Sequence, residues 1–350
     1  MKIGFIGLGI MGESMSANIV RKHDDKVFVS DLNKAQVEKL AALGAVPCEN
    51  NIEVAKNADV IITMVPKSEH VKGVYTELLP YIDETKICID MSTIDPSVSL
   101  ECAAMIKAKG AQWADAPVVK SKPAAIDGTL GVLVGCDEEL YPVIKPILSY
   151  MGCNVIRMGN NGMGITMKIC HNTLVAEIQN GVNETLGLAR KLGISIDDFA
   201  TAVSYGGAGN FYLESQKENL KNNNWTTAFS LENEHKDLGI AQRLAEQVGL
   251  PMPGLQNCKA VFDKGMEMGL GKEDWRGRKT ASYPKTVPKQ ISFQLLRLRI
   301  RFPVFRLPVL HLRAIRKIYT TRGYGRRKTV FHSRLRGRRS CRRRDNRFPP

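Results

Sequence analysis

A glycine-rich turn directly behind the first hydrophobic run constrains the fold more than any other feature. Gly7-Leu8-Gly9-Ile10-Met11-Gly12 follows a strand-like run, Lys2–Ile6, and opens a stretch with helical spacing, Met11–Lys22. Glycines at these spacings permit a tight turn and close approach of the backbone to a pyrophosphate, which the helix N-terminus attracts. We therefore predict a dinucleotide site at Gly7, Gly9, Ile10, Met11 and Gly12.

An acidic residue at the end of the second predicted strand bears on the choice of dinucleotide. Asp31 follows Val27-Phe28-Val29-Ser30 and lies 19 positions after Gly12. A carboxylate here can bind both hydroxyls of the adenosine ribose and would repel a 2′-phosphate, which favours NAD over NADP. Alternatively, Asp31 forms a turn and caps the helix that begins near Asn33, and both roles can coexist.

The alternation of strands and helices predicts an α/β fold with a Rossmann-type doubly wound sheet over residues 1–162. From residue 163 to 275 the chain reads as all-helical, entered by a long helix over Met163–Leu192 that Gly193 ends, and we expect it to form the substrate and dimerisation domain. The predicted strands are Lys2–Ile6, Lys26–Ser30, Val60–Met64, Lys86–Asp90, Gln112–Ala114 and Thr129–Val134. The further predicted helices are Asp197–Ser204, Phe211–Asn222, Leu231–Val248 and Leu255–Met268.

The positive charge is confined to the last part of the chain. Of the 50 Lys and Arg residues, 24 lie in residues 276–350 beside a single acid, Asp345, so this segment carries +23. The other 26 basic and 34 acidic residues give −8. The segment could be a tail for nucleic acid or an anionic membrane, a disordered appendage, or an out-of-frame translation of the original C-terminus. Its abrupt onset after Trp275 and its many apolar residues favour the third interpretation.

Several classes of protein are disfavoured by composition. No apolar run approaches the roughly 20 residues that cross a bilayer, and the N-terminus does not read as a signal peptide. The eight cysteines are scattered without a Cys-x-x-Cys pair, so neither a metal site nor a disulfide framework is expected. The expected location is the cytoplasm, without membrane association.

The long predicted helix carries a pair of residues suited to acid–base chemistry. Lys168 and Asn172 lie four positions apart and share one helix face. A lysine beside a reacting carbonyl can donate a proton to its oxygen and take it back in the reverse direction, while an asparagine amide can orient the substrate. From spacing alone, a solvent-exposed pair is the better interpretation.

Five ordered motifs resemble the β-hydroxyacid dehydrogenase family over residues 1 to about 275. They are Gly7-Leu8-Gly9-Ile10-Met11-Gly12, Asp115-Ala116-Pro117-Val118, Gly128-Thr129-Leu130, Gly162-x-Gly164-x-x-x-Lys168-x-x-x-Asn172 and His235-Lys236-Asp237-Leu238. The resemblance implies an NAD-dependent oxidoreductase that interconverts a small anionic aldehyde and its alcohol, as a homodimer or homotetramer. It implies Lys168 and Asn172 as catalytic residues, Val65, Pro66, Thr93 and Lys236 against the cofactor, and Ser92 and Asp237 against the substrate.

One loop departs from the family pattern. Where the family reads Asp-Ala-Pro-Val-Ser-Gly-Gly, this chain continues with Val119, Lys120, Ser121 and Lys122. Side-chain cations would suit a sulfonate, a phosphonate or a second carboxylate, unless these lysines are solvated loop residues. Together with the other motifs, this loop looks similar to the 3-sulfolactaldehyde reductases. The alternatives are enzymes of the 3-hydroxyisobutyrate, 2-hydroxymethylglutarate or tartronate-semialdehyde type, or, if the basic tail is genuine, a nucleic-acid-binding protein.

Overall fold

A computed structural model describes residues 1–227 and 229–276 of the chain. These residues belong to one compact unit, Met1–Tyr283. The hypotheses about the basic tail lie outside the described residues, apart from Arg276. That residue forms an ion pair with Asp274, in which Arg276 Nε lies 2.6 Å from Asp274 Oδ1.

Nine strands and twelve helices make up the described part of the chain. The strands are β1 (Ile3–Ile6), β2 (Val27–Ser30), β3 (Val46–Pro47), β4 (Val60–Thr63), β5 (Ile87–Asp90), β6 (Gln112–Asp115), β7 (Val118–Val119), β8 (Leu130–Cys136) and β9 (Gly152–Gly159). The helices are α1 (Gly12–Lys22), α2 (Lys34–Ala41), α3 (Asn51–Asn57), α4 (Ser68–Leu78), α5 (Pro96–Lys107), α6 (Lys122–Asp127), α7 (Tyr141–Leu148), α8 (Met163–Lys191), α9 (Ile196–Ser204), α10 (Phe211–Asn222), α11 (Leu231–Gln247) and α12 (Pro253–Glu267).

The strands form one sheet in the order β3-β2-β1-β4-β5-β6-β8-β7, with β9 also paired to β8. All pairs are parallel except those that β8 makes with β6 and β7. The chain moves from β1 outward to β3 and then returns to the other side of β1 at β4. This reversal of strand order leaves a crevice at the carboxyl ends of β1 and β4, where α/β sheets of this kind bind ligands.

Both faces of the sheet are buried in hydrophobic cores, as the continuous apolar sequences of the strands predict. Along β4, Val60 and Ile62 belong to one hydrophobic cluster and Ile61 to another. Because successive side chains of a strand point to opposite faces, these clusters are the cores on the two sides of the sheet. A third cluster lies among α8, α10, α11 and α12. The predicted Rossmann-type sheet followed by helices is therefore confirmed.

The long helix α8 joins the sheet to the helical part. Its first turns pack on β8: a Cβ added to Gly164 would lie 2.4 Å from the Leu133 carbonyl oxygen. It ends one residue before the predicted bound, and Gly193 adopts a left-handed φ of 91°, as a helix-ending glycine does. Within the described ranges, no helix is both long enough and apolar enough to span a membrane.

Three strands were not predicted. β3 and β7 have two residues each, too few for a periodic pattern. β9, Gly152-Cys153-Asn154-Val155-Ile156-Arg157-Met158-Gly159, is longer, but among the described strands it pairs only with β8, with two register irregularities. A half-exposed strand with few β-branched residues lacks the apolar signal on which strand prediction depends.

Candidate active site

The glycine turn lies at the carboxyl end of β1 with the geometry that a dinucleotide needs. Gly7 has φ 95°, and a Cβ there would lie 2.3 Å from the Met64 carbonyl oxygen. A Cβ at Gly12 would lie 2.0 Å from the carbonyl oxygen of Gly7, so helix α1 can pack here only without a side chain. Gly9 faces open space, with nothing within 4 Å of an added Cβ.

Helix α1 begins behind this turn without a side-chain cap. The Glu13 N–H donates to the Gly9 carbonyl oxygen (3.0 Å). The other N–H groups of the first turn, which have no intrahelical partner, remain for an anion at this point. Ile10 is exposed beside them, and Met11 is half-buried at the cap position. The open space at Gly9 and the uncapped N-terminus fit a pyrophosphate.

Asp31 is held against the glycine turn. Its Oδ2 accepts a hydrogen bond from the Leu8 N–H (2.6 Å), and its Oδ1 accepts one from the Asn33 N–H (2.7 Å). The cap of α2 is Asn33 itself, whose side chain accepts from the Ala35 N–H. An ionised carboxylate offers about four acceptor positions, so Asp31 retains capacity for ribose hydroxyls beside the turn.

Lys168 and Asn172 lie in a buried cluster of charges between α8 and α11. Lys168 is 9% exposed and Asn172 7%. Asn172 Nδ2 donates to Asp237 Oδ2 (2.7 Å), while Asp237 Oδ1 lies 3.2 Å from Lys236 Nζ. Burial lowers the pKa of the Lys168 ammonium, an effect that the negative charges of Asp237 and Glu234 oppose. The burial of both Lys168 and Asn172 excludes the solvent-exposed interpretation.

Helix α11 contacts the loop behind β5 at two points. Lys236 Nζ donates to the Thr93 carbonyl oxygen, and Arg243 forms an ion pair with Asp95 (2.7 Å). Asp95 also caps α5 through the Ser97 N–H. Because Lys236 and Arg243 are seven positions apart, they share one face of α11, which binds this loop twice.

A buried polar network holds the two loops that carry Val65 and Ser92. The Ser92 hydroxyl donates to Asp90 Oδ1 (2.6 Å) and accepts from the Val65 N–H (2.9 Å). Thr63 Oγ1 donates to the same Asp90 oxygen (2.7 Å). Ser92 is 1% exposed, so its hydroxyl positions the loops, and its predicted contact with substrate stays a prediction. Pro66, next to Val65, is exposed.

The substituted loop lies at the surface. Lys120, Ser121 and Lys122 are all exposed, and Lys120 Nζ donates to the Thr129 carbonyl oxygen (2.7 Å). Lys120 adopts a left-handed φ of 77°, a conformation that favours glycine, at a position where the family has glycine. Within residues 1–227 and 229–276, none of the hydrogen bonds that we find joins these three residues to the Lys168 cluster.

Asp115 holds the start of the helix that carries Lys168, a role that the sequence pattern did not reveal. Its carboxylate accepts from the Gly162 N–H (2.7 Å) and the Ile165 N–H (2.8 Å). Such a carboxylate at a helix N-terminus satisfies free donors and complements the helix dipole. The available signal was an acid at the end of an apolar strand followed by Ala116-Pro117, which is too general to identify a cap 47 residues away.

Asp90 should make stability depend on pH. Burial raises its pKa to about 6, above the ordinary 3.8. Because the folded state then holds the proton more tightly than the unfolded chain, Asp90 lowers stability as pH rises from about 4 to about 6. Asp90→Asn should remove this pH-dependent loss of stability, which is on the order of 3 kcal/mol. We expect urea unfolding to show that Asp90→Asn gains stability relative to wild type as the pH rises from about 4 to about 6.5.

Asp24→Asn, which makes the same change at an exposed carboxyl, is the control. A difference between Asp90→Asn and wild type that stayed constant with pH would show that burial does not raise the pKa of Asp90. Asp115, whose pKa burial also raises to about 6, is present in all three proteins.

Comparisons with known proteins agree with this arrangement. The sequence model described as the NAD binding domain of 6-phosphogluconate dehydrogenase matches residues 2–159. The model described as NAD-binding of NADP-dependent 3-hydroxyisobutyrate dehydrogenase matches residues 162–277. Together the two matches begin at residue 2 and leave only residues 160 and 161 between them, so they cover nearly all of the described chain.

Among the relatives are 3-sulfolactaldehyde reductase of Escherichia coli, 34% identical over 78% of this chain and 93% of that protein, and 2-(hydroxymethyl)glutarate dehydrogenase of Eubacterium barkeri, 32% identical over 78% and 92%. The structure of Mycobacterium tuberculosis 3-hydroxyisobutyrate dehydrogenase with L-serine superposes with a TM-score of 0.73 at 28% identity, covering 79% of this chain and 96% of that one. The predicted family is therefore confirmed: the chain belongs to the β-hydroxyacid dehydrogenases, oxidoreductases that use a nicotinamide dinucleotide.

Proposed function

We propose that the protein catalyses reversible hydride transfer between NADH and a small anionic aldehyde, with Lys168 as the acid–base residue. The observation that carries this proposal is the buried cluster in which Lys168 and Asn172 share one face of α8 opposite Asp237. The bound nicotinamide would supply or accept the hydride. Lys168 would donate a proton to the carbonyl oxygen in reduction and take it from the alcohol in oxidation.

Asn172 and its neighbours would orient the substrate. Asp237 accepts one amide hydrogen of Asn172, which leaves the second for a substrate oxygen. Lys236, held on the Thr93 carbonyl oxygen, would lie over the cofactor together with Val65, Pro66 and Thr93. We assign the dinucleotide as NAD because Asp31, fixed beside the glycine turn, would repel a 2′-phosphate.

The proposed substrate is 3-sulfolactaldehyde, reduced to 2,3-dihydroxypropane-1-sulfonate. Support comes from the cations of the substituted loop, where Lys120 and Lys122 with Ser121 would bind the anionic group. The names of the two relatives, one for a sulfonate and one for a dicarboxylate, do not decide between these anions. 3-Hydroxyisobutyrate, 2-hydroxymethylglutarate or tartronate semialdehyde is the alternative substrate. Assembly as a homodimer or homotetramer stays a prediction.

A screen of NADH oxidation with sulfonated and carboxylated three-carbon aldehydes tests the function. We expect turnover with at least one anionic aldehyde, and a higher kcat/KM with the sulfonate. The same screen with NADPH in place of NADH tests whether Asp31 selects NAD over NADP. Absence of turnover with every anionic aldehyde, in a folded protein that binds NADH, would contradict the proposed function.

Replacing Lys120 with glycine should change substrate preference without loss of stability. Glycine suits the left-handed backbone at this position, so the variant should be as stable as wild type or more stable by about 1 kcal/mol. Loss of the cation should lower kcat/KM for the sulfonate about tenfold relative to the carboxylate. Lys120→Arg, which keeps the charge, is the control and should retain the preference. An unchanged ratio in Lys120→Gly would remove Lys120 from the anion site.

A further inference from the structure

Helix α11 connects the acid–base pair on α8 to the loop behind β5. On one side, Asp237 accepts a hydrogen bond from Asn172 Nδ2 (2.7 Å). On the other side, Lys236 donates to the Thr93 carbonyl oxygen. The loop follows β5, which pairs with β4, so it lies beside the crevice in which we place the dinucleotide. The placement of α11 therefore sets how Lys168 and Asn172 stand relative to that crevice.

Arg243 forms a second attachment of α11 to the same loop. Its Nη2 lies 2.7 Å from Asp95 Oδ2, and its Nη1 donates to the Gly239 carbonyl oxygen of its own helix (3.3 Å). Asp95 uses its other oxygen, Oδ1, to cap α5 through the N–H and the hydroxyl of Ser97 (3.0 and 2.8 Å). The neighbouring Ile94 is 1% exposed within a core of the sheet. Both ends of the ion pair are therefore anchored to backbone that the fold holds in place.

Asp95 is held in the charged form that this contact needs. Burial raises the pKa of its carboxyl, but hydrogen bonds from Arg243 and Ser97 outweigh burial and bring the pKa below the ordinary 3.8. The side chain of Arg243 is 56% exposed and that of Asp95 20%. Because an exposed ion pair shifts an equilibrium only about two- to fivefold, this one adds little to the stability of the fold. Reaction rates depend more steeply on geometry, since a displacement of about 1 Å can lower a rate about 10²-fold.

We propose that Arg243 is a positioning residue for the reaction, which fixes α11 on the loop behind β5 through Asp95. This inference rests on the proposed function, because the groups that it aligns are Lys168 on one side and the nicotinamide on the other. Two attachments seven positions apart, about 10 Å along the helix axis, prevent α11 from turning about either of them. Without the ion pair, Lys236 would be the remaining polar contact between α11 and this loop among the described residues. Arg243 acts through Asp95 and does not touch the substrate.

Single-turnover kinetics on the full chain test the alignment. Arg243→Gln should lower the rate at which the best anionic aldehyde oxidises bound NADH about two- to fivefold, with the Kd for NADH changed less than about twofold. Arg243→Lys, which keeps the charge but not the planar fork, should restore part of the rate. With NADH that carries two deuterium atoms at C4, the isotope effect should be at least as large in Arg243→Gln as in wild type, because hydride transfer is the step that is slowed.

A double-mutant cycle identifies the partner of Arg243. Asp95→Asn loses the ion pair but keeps a residue that caps helices well at the start of α5. In that background, Arg243→Gln should have no further effect on the rate. Lys72→Gln is the matched control, since Lys72 and Glu101 form an exposed ion pair of the same length, 2.7 Å, between α4 and α5. The single-turnover rate of this control should equal that of wild type.

Equal rates in wild type and Arg243→Gln would overturn the proposal, as would a smaller isotope effect in the variant or effects that simply add in the cycle. If wild type oxidised NADH with no anionic aldehyde, the proposed function would fail. Hydrogen exchange, followed by mass spectrometry, would then still test the attachment. Exchange in residues 91–95 should be faster in Arg243→Gln than in wild type and unchanged in Lys72→Gln. Equal exchange in Arg243→Gln and wild type would show that Arg243 does not hold this loop.

Discussion

Replacing Lys168 with methionine is expected to lower kcat for carbonyl reduction by about 10²- to 10⁴-fold, the range that a positioned general acid contributes. Methionine keeps much of the apolar stem in the buried position but cannot donate a proton. The loss should appear in kcat at saturating substrate, whereas the affinity for NADH should change little because we place the pyrophosphate contacts at the glycine turn. Stopped-flow measurement of NADH oxidation, with fluorescence titration of NADH binding, checks both expectations.

Lys191 offers a matched control, since it is exposed at the far end of the same helix. Lys191→Met should leave kcat at the wild-type value. If a correctly folded Lys168→Met variant retained turnover, Lys168 would not be the acid–base residue, and another group of the cluster would have to fill that role.

Two glycines of the turn should respond in opposite ways to alanine. Gly12→Ala places a Cβ 2.0 Å from the backbone oxygen of Gly7, so helix or turn must shift, and we expect a loss of about 2–4 kcal/mol in the free energy of unfolding. Gly9→Ala meets nothing within 4 Å, so its stability should stay within about 1 kcal/mol of wild type. The added methyl group would occupy the phosphate space, however, and weaken NADH binding about tenfold or more.

Urea unfolding and NADH titration of the two variants separate the structural glycine from the ligand-facing one. Gly73→Ala, within α4 and also without neighbours at an added Cβ, should change neither NADH affinity nor the fold. If Gly9→Ala bound NADH as wild type does, the pyrophosphate would lie elsewhere.

Local sequence rules predicted most of the secondary structure because the relevant signals are short-range. The apolar run Val60–Thr63 and the long helical pattern ending at Gly193 depend on neighbours within a few positions. β9 was not predicted because its residues pair with β8 at a sheet edge and only one of its eight residues is buried. Its strand conformation depends on a partner that lies about 20 residues away in sequence.

The same distinction, between signals within a few positions and contacts across long sequence separations, applies to the candidate site. Lys168 and Asn172 share a helix face by spacing, and the ordered motifs indicated Lys236 and Asp237. Contacts across long sequence separations could not be predicted in this way. Asp115 caps a helix 47 residues later, and Ser92 uses its hydroxyl to hold the Val65 loop. The sequence also identified the unusual Lys120, but its left-handed backbone is visible only in the structure.

The glycine turn, the order of strands and helices, and the Lys168–Asn172 spacing follow from the sequence itself, since each depends on backbone geometry within one or two turns of chain. The surroundings of Lys168 were decided by the tertiary structure. Asp237 reaches Asn172, 65 positions earlier in the chain, only because α8 and α11 pack on a common hydrophobic core. That packing buries the lysine, and burial lowers its pKa.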